Sequence, residues 1–335
     1  MTKRLSHFER IERIINGELP DRPAVAFWRH FPVDDMDPVS LARSTIHFQE
    51  LFDFDLVKVS PASIFCIKDW GVESEWRGNP EGSSDYTKRV IHTPEDWLNL
   101  DLLDPHRGSL GAQLECLKHI KQNISSSTPI IQTIFSPLSQ AKNLAGPDML
   151  QVYLRKYPEA ILAGLQVIME TTLNFISAVK DIGISGVFYA VQQASYRLLS
   201  ESEFKRFGKS FDLQILSHCR DFKVNMVHIH GKDIMFDQLI DYPVDILNWH
   251  DRETTPSLSV AKDIVSATTC GGINQFQTLV LGSPDQVEVE AIDAISATKG
   301  LRFILGTGCV TPVLTPLANL WAARNIVEKA EAWVH

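Results

Sequence analysis

His228 and His230, in the segment Val-His-Ile-His-Gly, are the side chains of this sequence whose spacing points most directly to chemistry. Residues 224–231 read as a strand, and strand side chains alternate faces with period two. The two imidazoles therefore project from one face, where they can hold a single metal ion. A second apolar run, Arg302-Phe-Ile-Leu-Gly-Thr-Gly-Cys, ends on Cys309, a thiol at another strand end. Two histidines and a thiolate form a three-ligand set suited to zinc. With a fourth position open, that set is the catalytic arrangement rather than the closed structural one.

The elements that must position these residues alternate along the chain. Candidate strands cover residues 23–30, 56–60, 129–135, 184–191, 224–230, 244–249, 268–273 and 302–305. Helical patterns lie between them at 157–180, 201–219, 285–296 and 317–334. The second of these opens on Ser200 with Glu203 three residues on, the spacing of a capping box. Strands that alternate with helices imply parallel pairing through crossovers. Eight such units in this length predict an α/β fold, a (β/α)8 TIM barrel, as one domain over residues 1–335. A doubly wound dinucleotide fold lacks its G-x-G-x-x-G, and no phosphate loop occurs. Residues 69–127 interrupt the alternation and are expected to be an insertion after the second strand, a cap over the barrel mouth. In such a barrel the chemistry lies at the C-terminal strand ends. That places Trp28, Arg29, His30, Lys58, Gln192, Gln193, Asn248, His250, Asp251, Asn274 and Cys309 around one mouth.

Composition narrows the function classes. The net charge of −9 argues against a nucleic-acid binder, because phosphate recognition wants a basic face. No run approaches the about 20 apolar residues that span a bilayer, so no membrane role is expected. The start, Met-Thr-Lys-Arg-Leu-Ser-His-Phe, is charged and unlike a signal sequence. The five cysteines are scattered without a C-x-x-C, which fits reduced thiols and a cytoplasmic protein.

Taken together, these landmarks resemble the uroporphyrinogen decarboxylase superfamily over nearly the whole chain. The resemblance rests on Arg22-Pro23 leading to Trp28-Arg29, on Phe-Ser-Pro-Leu-Ser-Gln-Ala at 135–141, and on Gln192 ending the fourth strand. It continues with His-Ile-His-Gly in the fifth, Asp245-Ile-Leu-Asn-Trp-His in the sixth, Gly271-Gly-Ile-Asn-Gln in the seventh and Leu305-Gly-Thr-Gly-Cys in the eighth. The superfamily includes decarboxylases of tetrapyrroles in porphyrin and heme biosynthesis, corrinoid-dependent methyltransferases, and cobalamin-independent methionine synthase.

The resemblance favours the methyltransferase branch. The decarboxylases use no metal and rely on an aspartate at the end of the second strand. Here that strand reads Lys58-Val-Ser-Pro, and Thr307 stands where their last strand carries a histidine. The methyltransferases carry zinc on a His-x-Cys and a later Cys, matched here by His228, His230 and Cys309. A glutamate ligand of the methionine synthases corresponds to His250, a candidate fourth ligand. Zinc is therefore the expected cofactor, activating a thiol or similar acceptor for methyl transfer. A methyl-corrinoid donor would arrive on a separate protein, since no Asp-x-His-x-x-Gly corrinoid motif occurs. Gln192, Asn248 and Asp251 are the expected catalytic groups, with Arg29 holding a substrate carboxylate. The alternative is a tetrapyrrole decarboxylase with Asp251 or Asp69 in place of the missing aspartate. The expected partners are a small-molecule substrate and a corrinoid protein, and a homodimer is compatible with the resemblance.

Overall fold

The computed structural model describes residues 4–329. Its eight buried strands are β1 (Ala24–Val25), β2 (Val57–Val59), β3 (Ile130–Phe135), β4 (Gly186–Val191), β5 (Met226–Ile229), β6 (Ile246–Trp249), β7 (Thr268–Ile273) and β8 (Phe303–Thr307). They form one curled parallel sheet in the order β1-β8-β7-β6-β5-β4-β3-β2. The outermost strands of that order also approach each other, since the Asp55 backbone N–H donates to the Val25 carbonyl at 2.9 Å. This architecture is consistent with the expected TIM barrel. Every strand residue is buried, as in parallel sheets covered on both faces. That double coverage is why the strands read as near-continuous apolar runs.

Strand bounds differ from the sequence reading where side chains leave the ladder. The first strand pairs only over Ala24–Val25, so Trp28, Arg29 and His30 belong to the loop beyond it. The last strand runs on through Thr307, because Gly306 lies against β1. A Cβ there would come within 2.7 Å of the Ala26 carbonyl oxygen.

The helices follow their caps. Ser200 and Glu203 form the expected capping box, although the helix they open contains a π turn, Lys205–Lys209, before continuing as Ser210–His218. Ser283 and Gln286 cap Pro284–Thr298 in the same way. The last expected helix starts at Leu317 and is described to Lys329; its remaining expected residues lie outside those described. Pro158–Ile182 is long and apolar enough by composition to cross a membrane, contrary to the sequence expectation, but half of its most apolar stretch is buried. It packs against five other helices of the fold.

The segment 69–127 contains a two-stranded hairpin, Glu73–Glu75 with Asp85–Lys88, and a short helix, Pro94–Leu98. Its last helix, Gly108–Asn123, packs between Pro38–Phe52 and Pro158–Ile182 and so belongs to the helix layer that follows β2. Only the hairpin reaches the mouth.

Beneath the N-terminal strand ends lies a paired charge network. Asp55, with no exposed surface, accepts from Arg10 Nη1 at 2.6 Å, Arg22 Nη1 at 2.7 Å and the Val25 backbone N–H at 2.9 Å. Arg10 also donates to Asp21 at 2.7 Å. Burial alone would push the Asp55 carboxyl upward, but Arg22 and Arg10 more than offset this and hold it below its ordinary value.

Candidate metal centre

The opposite ends of the strands carry the site. Strand alternation turns His228 of β5 inward, and the β5–β6 register sets it directly beside Asn248. His230 extends the ladder by one residue, its N–H donating to the Val191 carbonyl at 3.0 Å. Gly231 follows in the left-handed region (φ 103°) and turns the chain away. His250 lies just past β6 and Cys309 just past β8. Gly308 lets those two segments touch: a Cβ there would sit 2.5 Å from His250 Cα and 2.7 Å from the Trp249 carbonyl oxygen.

As a result, one ligand atom from each of His228, His230, His250 and Cys309 falls within 4.8 Å of every other. His228 Nε2 is 3.4 Å from His230 Nδ1, and Cys309 Sγ is 3.6 Å and 3.8 Å from those two nitrogens. Tetrahedral zinc with bonds of about 2.1 Å to nitrogen and about 2.3 Å to sulfur gives ligand–ligand edges of about 3.4–3.6 Å. The donor set and its spacing therefore fit zinc. So does the buried His250 Nε2, which has no hydrogen-bond partner.

Asn248 sets the His228 tautomer. Its Nδ2 donates to the Cys270 and Thr307 carbonyls, both at 2.9 Å, which leaves Oδ1 facing His228 Nδ1 at 2.7 Å. An amide oxygen can only accept, so Nδ1 carries the proton and the Nε2 lone pair points into the cluster.

Burial sets the charge states of these groups. It holds the His228 imidazole well below its ordinary range and, with Lys142 nearby, lowers His230 to about 4. His250 is likewise lowered to about 4 by burial and by His230. The Cys309 thiol is pushed up to about 12, first by burial and then by Glu81. A cation in the cluster would reverse the thiol's preference, because a coordinating thiol is deprotonated.

The cluster forms one wall of a cavity of about 220 Å³. Trp28, Lys58, Phe135, Phe188 and Gln192 line it from the strand ends, Lys142 and Asn143 from the helix Pro137–Ala145, and Glu81 and Tyr86 from the hairpin segment. The Lys58 ammonium stands 4.6 Å over the Phe188 ring, and the His228 ring stacks on Phe188 at 5.4 Å. Burial lowers Lys58 to about 7 and Lys142 to about 8. A second cavity, of about 290 Å³ between Asp35 and Gln113, contains no histidine or cysteine.

Of the other residues singled out from sequence, Gln192 lines the cavity and accepts from Lys142 Nζ at 3.2 Å. Asn248 is fully engaged behind His228. Asp251 turns back toward β7, accepting from the Gly272 N–H at 3.1 Å, and burial raises its carboxyl to about 7. Arg29 braces the loops, donating to the His30 and Val313 carbonyls at 3.3 Å and 3.2 Å, and is not among the cavity-lining residues. Glu81, Tyr86 and Lys142 were not anticipated. Lys142 left one trace in the sequence, as the only charged residue of Pro137–Ala145.

Comparison with known proteins bears on the family and the fold. The chain is 27% identical over 231 residues to a methylcobamide:CoM methyltransferase, MtaA, from Methanosarcina barkeri. That match covers 67% of this chain and 66% of the relative, so the chain spans just under two thirds of the relative's length. A methyltransferase from Methanosarcina mazei shares the fold with a TM-score of 0.84 at 20% identity, covering 97% of this chain and 99% of that one. A B12-independent methionine synthase from a Shewanella species superposes with a TM-score of 0.55 at 14% identity, over 93% and 95% of the two chains. The sequence model of the uroporphyrinogen decarboxylase (URO-D) family matches residues 6–330, and the chain belongs to that family.

Proposed function

We propose that this chain is a zinc-dependent methyltransferase that moves a methyl group from a methylcobamide, carried on a separate corrinoid protein, to the sulfur of a small thiol. The observation that carries the reading is the convergence of four ligand atoms within 4.8 Å on the cavity wall, with the His228 lone pair aimed among them. The name of the Methanosarcina barkeri relative supports the donor and the thiol class.

His228, His230 and Cys309 would hold the ion, and His250 lies within reach of the fourth position, which the acceptor sulfur would take in its place. When bound, zinc supplies a Lewis-acid centre that keeps a coordinated thiol deprotonated near neutral pH while leaving it nucleophilic. The chain's own groups do the rest. Asn248 fixes the His228 tautomer. Phe135, Phe188 and Trp28 give the acceptor an apolar bed beside the cluster. The hairpin segment, through Glu81 and Tyr86, caps the cavity and limits water. Gln192 stands where it can orient the acceptor, with its amide oxygen held by Lys142.

The test is metal analysis together with methyl transfer from methylcobalamin to a thiol. One zinc per chain is expected. Cys309→Ala should lose the metal and lower transfer on the order of 10³-fold. A wild-type protein free of zinc and active without it, or one that releases CO₂ from uroporphyrinogen instead, overturns the reading.

A further inference from the structure

The second cavity, of about 290 Å³, lies between the first turns of the helices Pro38–Phe52 and Gly108–Asn123 and the segment that follows β2. No residue of the metal cluster lines it. Much of its wall is apolar, with Leu41, Ile64 and Phe65 prominent. Three carboxylates line it as well, and two of them are accounted for within the fold. Asp37 accepts from the Ser40 N–H and Asp69 from the Ser109 N–H, both at 2.8 Å, each satisfying a donor at the start of a helix.

Asp35 is different. Its side chain is only 4% exposed, and its one ion-pair contact, His30 Nδ1 at 3.6 Å, is too long for a hydrogen bond. Gln113, also buried, donates its Nε2 to Gln132 Oε1 at 2.8 Å and leaves its own amide oxygen without a donor. Lys68, the one cation lining the cavity, is exposed and lies within 4.0 Å of no carboxylate among the described residues.

A buried carboxylate and a buried amide oxygen on one cavity are thus two acceptors without a donor. Leaving such groups unpaired is costly, most of all for the charged one. Water can hydrate both oxygens, but it neither balances Asp35 nor covers the apolar wall. A primary ammonium on an apolar body does both.

We propose that this cavity binds a small organic ammonium, its charged group held by Asp35 and Gln113 and its apolar body by Leu41, Ile64 and Phe65. The volume stands at the small end for ligand cavities, so that body is a single ring or a short chain.

Ligand-observed NMR titration of the protein as purified tests this with phenethylamine, phenethyl alcohol and hydrocinnamate. The amine should bind about 10- to 100-fold tighter than the alcohol, the range for a hydrogen bond to a charged group, and the carboxylate should not displace it. Asp35→Asn should bring the amine down to the level of the alcohol. Ala112→Leu, which fills the cavity from its wall, should weaken both, and serves if Asp35→Asn does not fold. Cys309→Ala should leave amine binding unchanged, which separates this site from capture of the amine by a metal ion at the cluster. Equal binding of amine and alcohol by wild type, amine binding that survives Asp35→Asn or Ala112→Leu, or its loss in Cys309→Ala overturns the proposal.

Discussion

The two ends of the curled sheet handle buried charge in opposite ways. At the N-terminal end, Asp55 receives two guanidinium groups and a backbone N–H, and Arg10 is shared with Asp21. At the C-terminal end, His250 Nε2 and Trp28 Nε1 have no partner, and Lys58 has no counter-ion. Both regions are buried, so desolvation penalises charge equally in each. The bottom offsets that cost within the chain, which is what a structural network requires. The mouth leaves it open, and the missing partners are then best supplied from outside, by a metal ion and a substrate.

The contrast can be broken first at the bottom. Asp55→Ala strands Arg10 and Arg22 in the interior and should cost about 3–5 kcal/mol of stability. Urea unfolding measures that loss, while zinc bound per folded chain should stay as in wild type. A loss of metal with intact stability would mean that the two ends are not separate.

The mouth can be tested by acid. In metal-free protein the folded imidazoles titrate lower than the unfolded ones, His230 and His250 near about 4 against an ordinary 6.5. Between those values the unfolded chain binds more protons, so stability is full above pH about 6.5 and falls as the pH drops toward 4. The expected loss is roughly 3 kcal/mol for each of the two histidines. Thermal midpoints taken across that range should fall, and a His230→Gln variant should fall less. A flat wild-type profile would mean that these histidines are charged and paired, as the groups at the bottom are.

The smallest expected effect concerns orientation. Asn248→Ala frees the His228 ring and should weaken zinc binding by about 10- to 100-fold, the usual consequence of losing a partner behind a ligating histidine. Competition with a chelating dye reads this directly. Unchanged affinity would show that β5 alone orients the ring.

Much of this was legible in the sequence, for local reasons. Period-two alternation put His228 and His230 on one face, and continuous apolar runs marked eight strands because parallel strands are covered on both sides. Cys309 announced itself by its place after a strand, between Gly308 and an apolar run. Lys142, Glu81 and Tyr86 were harder to read. They come from a helix and a hairpin segment, and nothing in their neighbours says which cavity they will line. Asn248 was visible as a polar residue in a strand, but its role depends on three partners from β5, β7 and β8.

The sequence by itself marked the run of strands and put His228 and His230 on one face, because alternation, glycine and capping act over a few residues. Only the tertiary structure decided that His228, His230, His250 and Cys309 meet. That outcome depends on the order and register of parallel strands far apart in the chain, and on the close approach at Gly308. It also decided that Lys58 is left without a carboxylate. A missing partner is a property of the whole surroundings, which no local pattern encodes.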